Sequence, residues 1–173
     1  SVRELRNKIK NNEYERLDNK TKEKLKKEEK LQVQDLVKNP IILKIDKEII
    51  KEKALQQLIL EDMSSFLKEL GNGFSYIDNE YKIKIGNNYN YIDLLLFNYI
   101  YNCFIVIELK VTELKKEHIG QIETYMNYID KNLKTINQDK TIGIIITKKD
   151  NKFIMEYCSD KRILNTTYEL QEI

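Results

Sequence analysis

Two carboxylates and an amine stand in this sequence where buried strands should carry none. In the stretch YIDLLLFNYIYNCFIVIELK, Tyr91 to Lys110, Asp93 interrupts one apolar run, and Glu108 and Lys110 close the next. Desolvating an ionised group costs several kcal/mol or more unless it is paired or binds a cation. If the two runs are hairpin neighbours, a short connection through Tyr99 to Asn102 lets Asp93 and Glu108 meet on one face. With a backbone carbonyl and waters, two such hard oxygen ligands suit Mg²⁺, which leaves positions open for phosphate oxygens. Lys110 follows Glu108 by two residues, so strand alternation projects it to the same face. An ammonium there can orient an attacking water and stabilise charge developing on phosphate. The plainer reading, an ion pair of Asp93 with Lys110 at a half-exposed strand, accounts for two of the three charges.

These residues need a sheet to position them, and the hydrophobic pattern supplies one. Phe74 to Ile77 and Tyr81 to Ile85 read as strands separated by Asp78-Asn79-Glu80, and Gly86-Asn87-Asn88 marks a tight turn before a strand from Tyr91 to Phe97. Cys103 to Leu109 is apolar on both faces and should be central in the sheet. Before them, Asp46 as N-cap and Gly71 past the C-terminus bracket one amphipathic helix carrying Leu55, Ile59, Met63, Phe66 and Leu70. After them, Ile119, Ile122, Met126, Ile129 and Leu133 predict a second helix, and Ile142 to Thr147 and Phe153 to Tyr157 predict two further strands.

At 173 residues, 41% apolar and 34% charged, the chain suits one main globular domain. Its apolar runs are far shorter than the roughly 20 residues of a membrane span, so a cytoplasmic protein is expected. Cys103 and Cys158 lack metal-ligand spacing and read as buried free thiols. Residues 1–30 hold 11 Lys and Arg against 7 Asp and Glu, whereas the remainder holds 19 against 21. The positive charge is therefore concentrated in an arm able to approach phosphates, although such runs are ordinarily solvated faces. Val2, Leu5 and Ile9 have helical spacing there, and a helix over the Lys20 to Lys30 run would be exposed. Asn39-Pro40 holds the sole proline and is a natural boundary, dividing a charged arm or linker at 1–40 from a compact domain at 41–173.

The pattern Asp93…Glu108-Leu109-Lys110, with Gln121 on the following helix, resembles the PD-(D/E)XK nuclease superfamily. More closely, SVRELRNKIKNNEYERL, FLKELGNGF, YIDLLLF, VIELK, GQIETYMNYID and TIGIIIT resemble, in order, the YhcG-type family of bacterial PD-(D/E)XK nuclease domain proteins. The resemblance implies a restriction-endonuclease-like α/β fold with a mixed sheet flanked by helices. It implies Asp93 and Glu108 as metal ligands, the Leu109 carbonyl as a further ligand, Lys110 as the catalytic amine and Gln121 beside the site. The superfamily's proline before the aspartate is replaced here by Ile92. Glu61 and Asp62 are candidates for an acidic residue that many members carry on the first helix. In that family the segment around SVRELR ends an N-terminal helical domain, so the chain reads as a fragment whose missing N-terminal domain is a partner.

The expected function is a nuclease dependent on Mg²⁺, with Mn²⁺ as substitute, that hydrolyses phosphodiester bonds in DNA, in a homodimer if both strands are cut. The alternative is a binding module that keeps the fold without cleavage; a purely structural domain leaves the clustered acids unexplained. Tyr125 shares the helix face of Gln121 and reads as packing or cleft lining, and His118, the single histidine, as an exposed helix-start residue. Lys148 and Lys149 could track a DNA backbone, with solvated surface as the simpler reading of each.

Overall fold

Alternation, apolar runs and turn residues write a sheet into the middle of the chain, and the computed structural model, which describes residues 12–45 and 51–172, shows six strands in it. The strands are β1 (Ile41–Lys44), β2 (Phe74–Ile85), β3 (Asn88–Asn98), β4 (Cys103–Leu109), β5 (Asp139–Thr147) and β6 (Ile163–Gln171). Their spatial order is β1-β6-β5-β4-β3-β2. The pairs β2/β3 and β3/β4 are antiparallel, whereas β4/β5, β5/β6 and β1/β6 are parallel. This is a mixed sheet, and β4, buried along its whole length, lies inside it because its Ile and Val residues can be covered on both faces.

The helices are α1 (Asn19–Lys26), α2 (Glu52–Glu61), α3 (Met63–Leu70), α4 (Lys116–Asn132) and α5 (Lys152–Glu156). On one face of the sheet, Leu55, Ile59, Phe66 and Leu70 of α2 and α3 pack with Leu94, Leu96, Ile105, Ile107 and Leu109. On the other, Ile122, Met126 and Ile129 of α4 pack with Leu95, Val106 and Ile145. Helix α4 approaches β5 so closely that a Cβ on Gly143 would stand 2.6 Å from Met126 Sδ and 3.0 Å from Ile122 Cδ1. Gly143→Val should therefore push the helix off the sheet and cost about 1–3 kcal/mol, read as a lower Tm at an unchanged circular-dichroism spectrum.

Four expectations change. The apolar segment from Leu55 to Leu70 is two helices, because Asp62 (φ −139°) leaves the helical region and its side chain accepts the Ser65 N–H to cap α3. Phe74 to Ile85 is one strand: β3 offers a continuous partner, so the chain absorbs Asp78 to Glu80 as a register shift after Tyr76, with Glu80 at φ +46°. Phe153 to Tyr157 is not a strand but falls on α5, where the Asn151 side chain accepts from the Phe153 and Ile154 N–H groups. The last strand is instead Ile163–Gln171, whose Asn and Thr residues interrupt the apolar alternation. The helical spacing of Val2, Leu5 and Ile9 and the Asp46 cap lie outside the described residues.

Residues 12–40 are tied to the sheet domain through Arg16, which pairs with Glu69, and through the Lys38 carbonyl, which accepts from Thr166 Oγ1 at 2.6 Å. Helix α1 is mostly exposed, with Thr21 buried and Lys22 and Lys24 half-buried. Both cysteines are free and buried. Among the described residues no helix is long and apolar enough to cross a membrane.

Candidate active site

Strands β3 and β4 are joined by Tyr99 to Asn102, and their ladder runs from Asn98↔Cys103 to Leu94↔Ile107. One step further along that register, Asp93 stands opposite Glu108. Here side chains take over the backbone donors: Asp93 Oδ2 accepts the Leu109 N–H at 2.8 Å, and Glu108 Oε1 accepts the Asp93 N–H at 3.2 Å. The β3/β4 pairing ends at the two acids, Asp93 being held by the Leu109 N–H and Glu108 by the Asp93 N–H. Gln56 of α2, itself buried, supports the arrangement from a neighbouring helix by donating to the Asp93 carbonyl at 3.2 Å.

Burial dominates the electrostatics of the pair. It pushes the Glu108 carboxyl well above the ordinary range, and the nearby Asp93 charge adds to the effect. Asp93 is also raised, first by burial, against the opposing pull of the Leu109 N–H, Glu108 and the Lys110 charge. Glu80, across from Asp93 on β2, adds a further like charge. Two carboxylates whose ionised forms are disfavoured are what a divalent cation would relieve. Among the described residues no group of three or more His, Cys, Asp or Glu side chains gathers to hold a metal. The available donors are therefore the Asp93 and Glu108 oxygens and a backbone carbonyl. The Leu109 carbonyl qualifies, since on a strand it points to the same edge as the N–H bound to Asp93. Such a small, all-oxygen set fits Mg²⁺ or Mn²⁺, which retain water and phosphate in their remaining positions.

Lys110 leaves the strand end with its backbone N–H on the Ile146 carbonyl at 2.8 Å, and its charge acts on both acids and on His118. Helix α4 closes this face: Gln121 Nε2 donates to Tyr125 Oη at 3.2 Å, and the buried Tyr125 hydroxyl is raised by burial and by the charges of Glu108 and Asp93. The tyrosine hydroxyl therefore accepts from Gln121 within the field of the two carboxylates.

His118 corrects an expectation. It is buried, not exposed, because its Nδ1 accepts the Lys115 N–H at 3.0 Å and folds the helix start against the strand end. Burial, then the Lys110 charge, lowers its pKa, so the ring is held neutral. Asp62 is committed to capping α3, and Glu61 is exposed at the far end of α2 from Gln56. Glu52, at the other end of α2, is the acid of that helix whose charge reaches His118. Sequence reasoning passed over Gln56, although a glutamine beside Leu55 at the edge of an apolar helix stripe is a signal for a buried amide. A cleft of about 1090 Å³ lies elsewhere, between the 12–38 segment and the turn from α3 into β2.

The chain resembles known proteins in sequence and in part of its fold. The "Putative nuclease YhcG" of Escherichia coli (strain K12) is 25% identical over 115 residues, covering 65% of this chain. The chain spans about a third of that relative's length, 31%. Among solved structures, a repair endonuclease from Pyrococcus abyssi superposes with a TM-score of 0.46 at 16% identity, covering 74% of this chain and 50% of the other. EndoMS in complex with double-stranded DNA gives 0.46 at 18% identity, covering 74% and 48%. The family described as the YhcG PDDEXK nuclease domain matches residues 34–172, and the chain belongs to that family.

Proposed function

We propose that this chain is a nuclease domain that hydrolyses phosphodiester bonds in DNA and depends on a divalent cation, Mg²⁺ with Mn²⁺ as substitute. The observation that carries the reading is the meeting of Asp93 and Glu108 at the opened end of the β3/β4 ladder, Glu108 raised by burial and by the Asp93 charge, and Asp93 raised by burial. Asp93, Glu108 and the Leu109 carbonyl would hold the cation, which would supply polarisation of the phosphate and a lowered pKa for bound water. Lys110 orients the attacking water and balances the negative charge that grows on the phosphate oxygens. Gln121, held by Tyr125, offers its amide to the phosphate or the water. His118, neutral and engaged with Lys115, braces the helix start beside Lys110 without acting as the base.

The path for DNA follows the strand ends. β4 and β5 are parallel, so the exposed Lys148 and Lys149 after β5 lie at the same end of the sheet as Lys110. They can neutralise phosphates flanking the scissile one. Family membership supports nuclease chemistry.

Calorimetric titration tests the reading. Mg²⁺ or Mn²⁺ should bind the wild type and fail to bind Asp93→Asn, and cleavage of labelled DNA should require the same metal. Salt-dependent DNA binding with no metal requirement and no cleavage would instead make the chain a non-catalytic module on a nuclease fold.

A further inference from the structure

Strand β3 is longer than its partner. Its first five residues, Asn88 to Ile92, pair with β2 alone, so the β2–β3 hairpin continues past the end of β4, where the candidate active site lies. The turn that permits this is Gly86-Asn87, with Gly86 at φ +60°. One face of the projecting hairpin carries Ile83 and Ile92, buried in the cluster under α4. The register Lys82↔Tyr91 and Lys84↔Tyr89 puts these four side chains together on the opposite face. That face is open: Tyr89 is 55% and Tyr91 51% exposed. The lysines interleave with the rings, Lys82 Nζ lying 4.2 Å and Lys84 Nζ 5.7 Å from the Tyr89 centroid. From Tyr81 to Ile92 there is no acidic residue.

We infer that this Tyr89–Tyr91–Lys82–Lys84 face is a platform for unpaired nucleotides, so the substrate of the nuclease is a nucleic acid with a single-stranded segment beside the bond to be cut. The inference rests on the nuclease reading and adds a substrate class to it. Two neighbouring exposed rings offer a surface on which bases can stack, and bases offer a flat π face to a ring only where they are not already stacked in a duplex. The two lysines supply charge for the phosphates between such bases and are already placed over a ring, the pairing that single-strand binders combine. Along β3, strand rise separates Tyr91 from Asp93 by about 7 Å and Tyr89 by about 14 Å, with the tyrosines on the sheet face away from α4, so a bound strand reaches them around the hairpin beyond the end of β4. A polypeptide partner lacks the phosphates that the two lysines of this face, bounded by Glu80 and Asp93, are complementary to.

The test measures affinity in an Asp93→Asn background, which prevents cleavage, by fluorescence anisotropy with a labelled single-stranded oligothymidylate and with a blunt duplex. Tyr89→Ala and Tyr91→Ala should each weaken single-strand binding roughly 5- to 150-fold and leave duplex affinity nearly unchanged. Phenylalanine at either position should restore it, since stacking needs the ring. Lys82→Gln and Lys84→Gln should each lower the salt slope by about 0.7. Unchanged single-strand affinity in the double alanine variant overturns the proposal, as does an equal loss for both substrates. Self-association abolished by the alanines, without single-strand binding, overturns it in favour of a contact between copies of this chain. Cleavage by the otherwise wild-type chain reads the underlying function separately. Absence of cleavage beside tyrosine-dependent single-strand binding removes the nuclease and keeps the platform; wild-type cleavage of a branched substrate by the double alanine variant does the reverse.

Discussion

Glu108→Gln is expected to abolish cleavage, by at least about 10³-fold, while making the metal-free protein more stable. The first half follows from its proposed place as a cation ligand opposite Asp93: a neutral amide keeps the shape and the bond from the Asp93 N–H but forfeits the charge. The second half follows from burial. The Glu108 carboxyl is raised well above its ordinary value, so the folded state binds a proton that the unfolded chain releases. A group raised in this way favours folding fully only below its unfolded pKa, and that contribution is lost as pH rises through the folded value. The metal-free wild type should therefore lose stability as pH climbs above the ordinary glutamate range. Glu108→Gln should flatten that slope, and Mg²⁺ should restore wild-type stability but not that of the variant. Thermal melts across pH, with and without Mg²⁺, check the linkage beside single-turnover cleavage. Wild-type cleavage by Glu108→Gln would remove the carboxylate from the mechanism, and a variant less stable than the wild type at neutral pH without metal would refute the electrostatic account.

Lys110→Ala is expected to slow cleavage about 10²–10³-fold, the usual cost of removing one preorganised charge from a transition state. Its backbone, not its side chain, makes the structural contact, the N–H to the Ile146 carbonyl, and alanine preserves that bond. The fold and, at saturating metal, most DNA binding should survive. Lys110 also moderates the charge of Asp93 and Glu108, so its loss should raise both carboxyls further and shift the rising limb of the cleavage–pH profile upward. Wild-type single-turnover rates would exclude a role in the chemical step. An unfolded variant by circular dichroism would mean that the amine chiefly neutralises the buried acids.

The same shift argues that the site is a compromise. Two acids at the opened end of a ladder, with Glu80 nearby in a left-handed conformation, cost stability that an apolar strand end would not. The proposed cation site would account for that cost, since binding a cation there would relieve it.

Much of this was written in the local sequence. Alternation and β-branched residues gave β4 its limits, Cys103 to Leu109, and its interior place; Gly86-Asn87 gave the hairpin; the 3.6-residue spacing of Ile122, Met126 and Ile129 gave α4. Asp93 and Glu108 were legible as a pair because charge in an apolar run has few physical excuses. Other features depended on partners distant in the chain. Whether Asp78 to Glu80 turned or bulged was decided by β3, which pairs with both sides of it. Phe153 to Tyr157 has strand-forming side chains, yet the Asn151 cap made it helical, and the Thr- and Asn-rich β6 became a strand because β1 and β5 flank it on either side. His118 was buried by the fold of the α4 start against the strand end, which no local pattern encodes. By itself the sequence determined which residues could carry charge into the sheet and at what spacing, since periodicity is a property of the chain. Tertiary structure alone decided that the ladder opens where they meet, that Gln56 and Tyr125 surround them, and that the hairpin beyond presents its tyrosines to solvent, because register and exposure belong to pairs of strands.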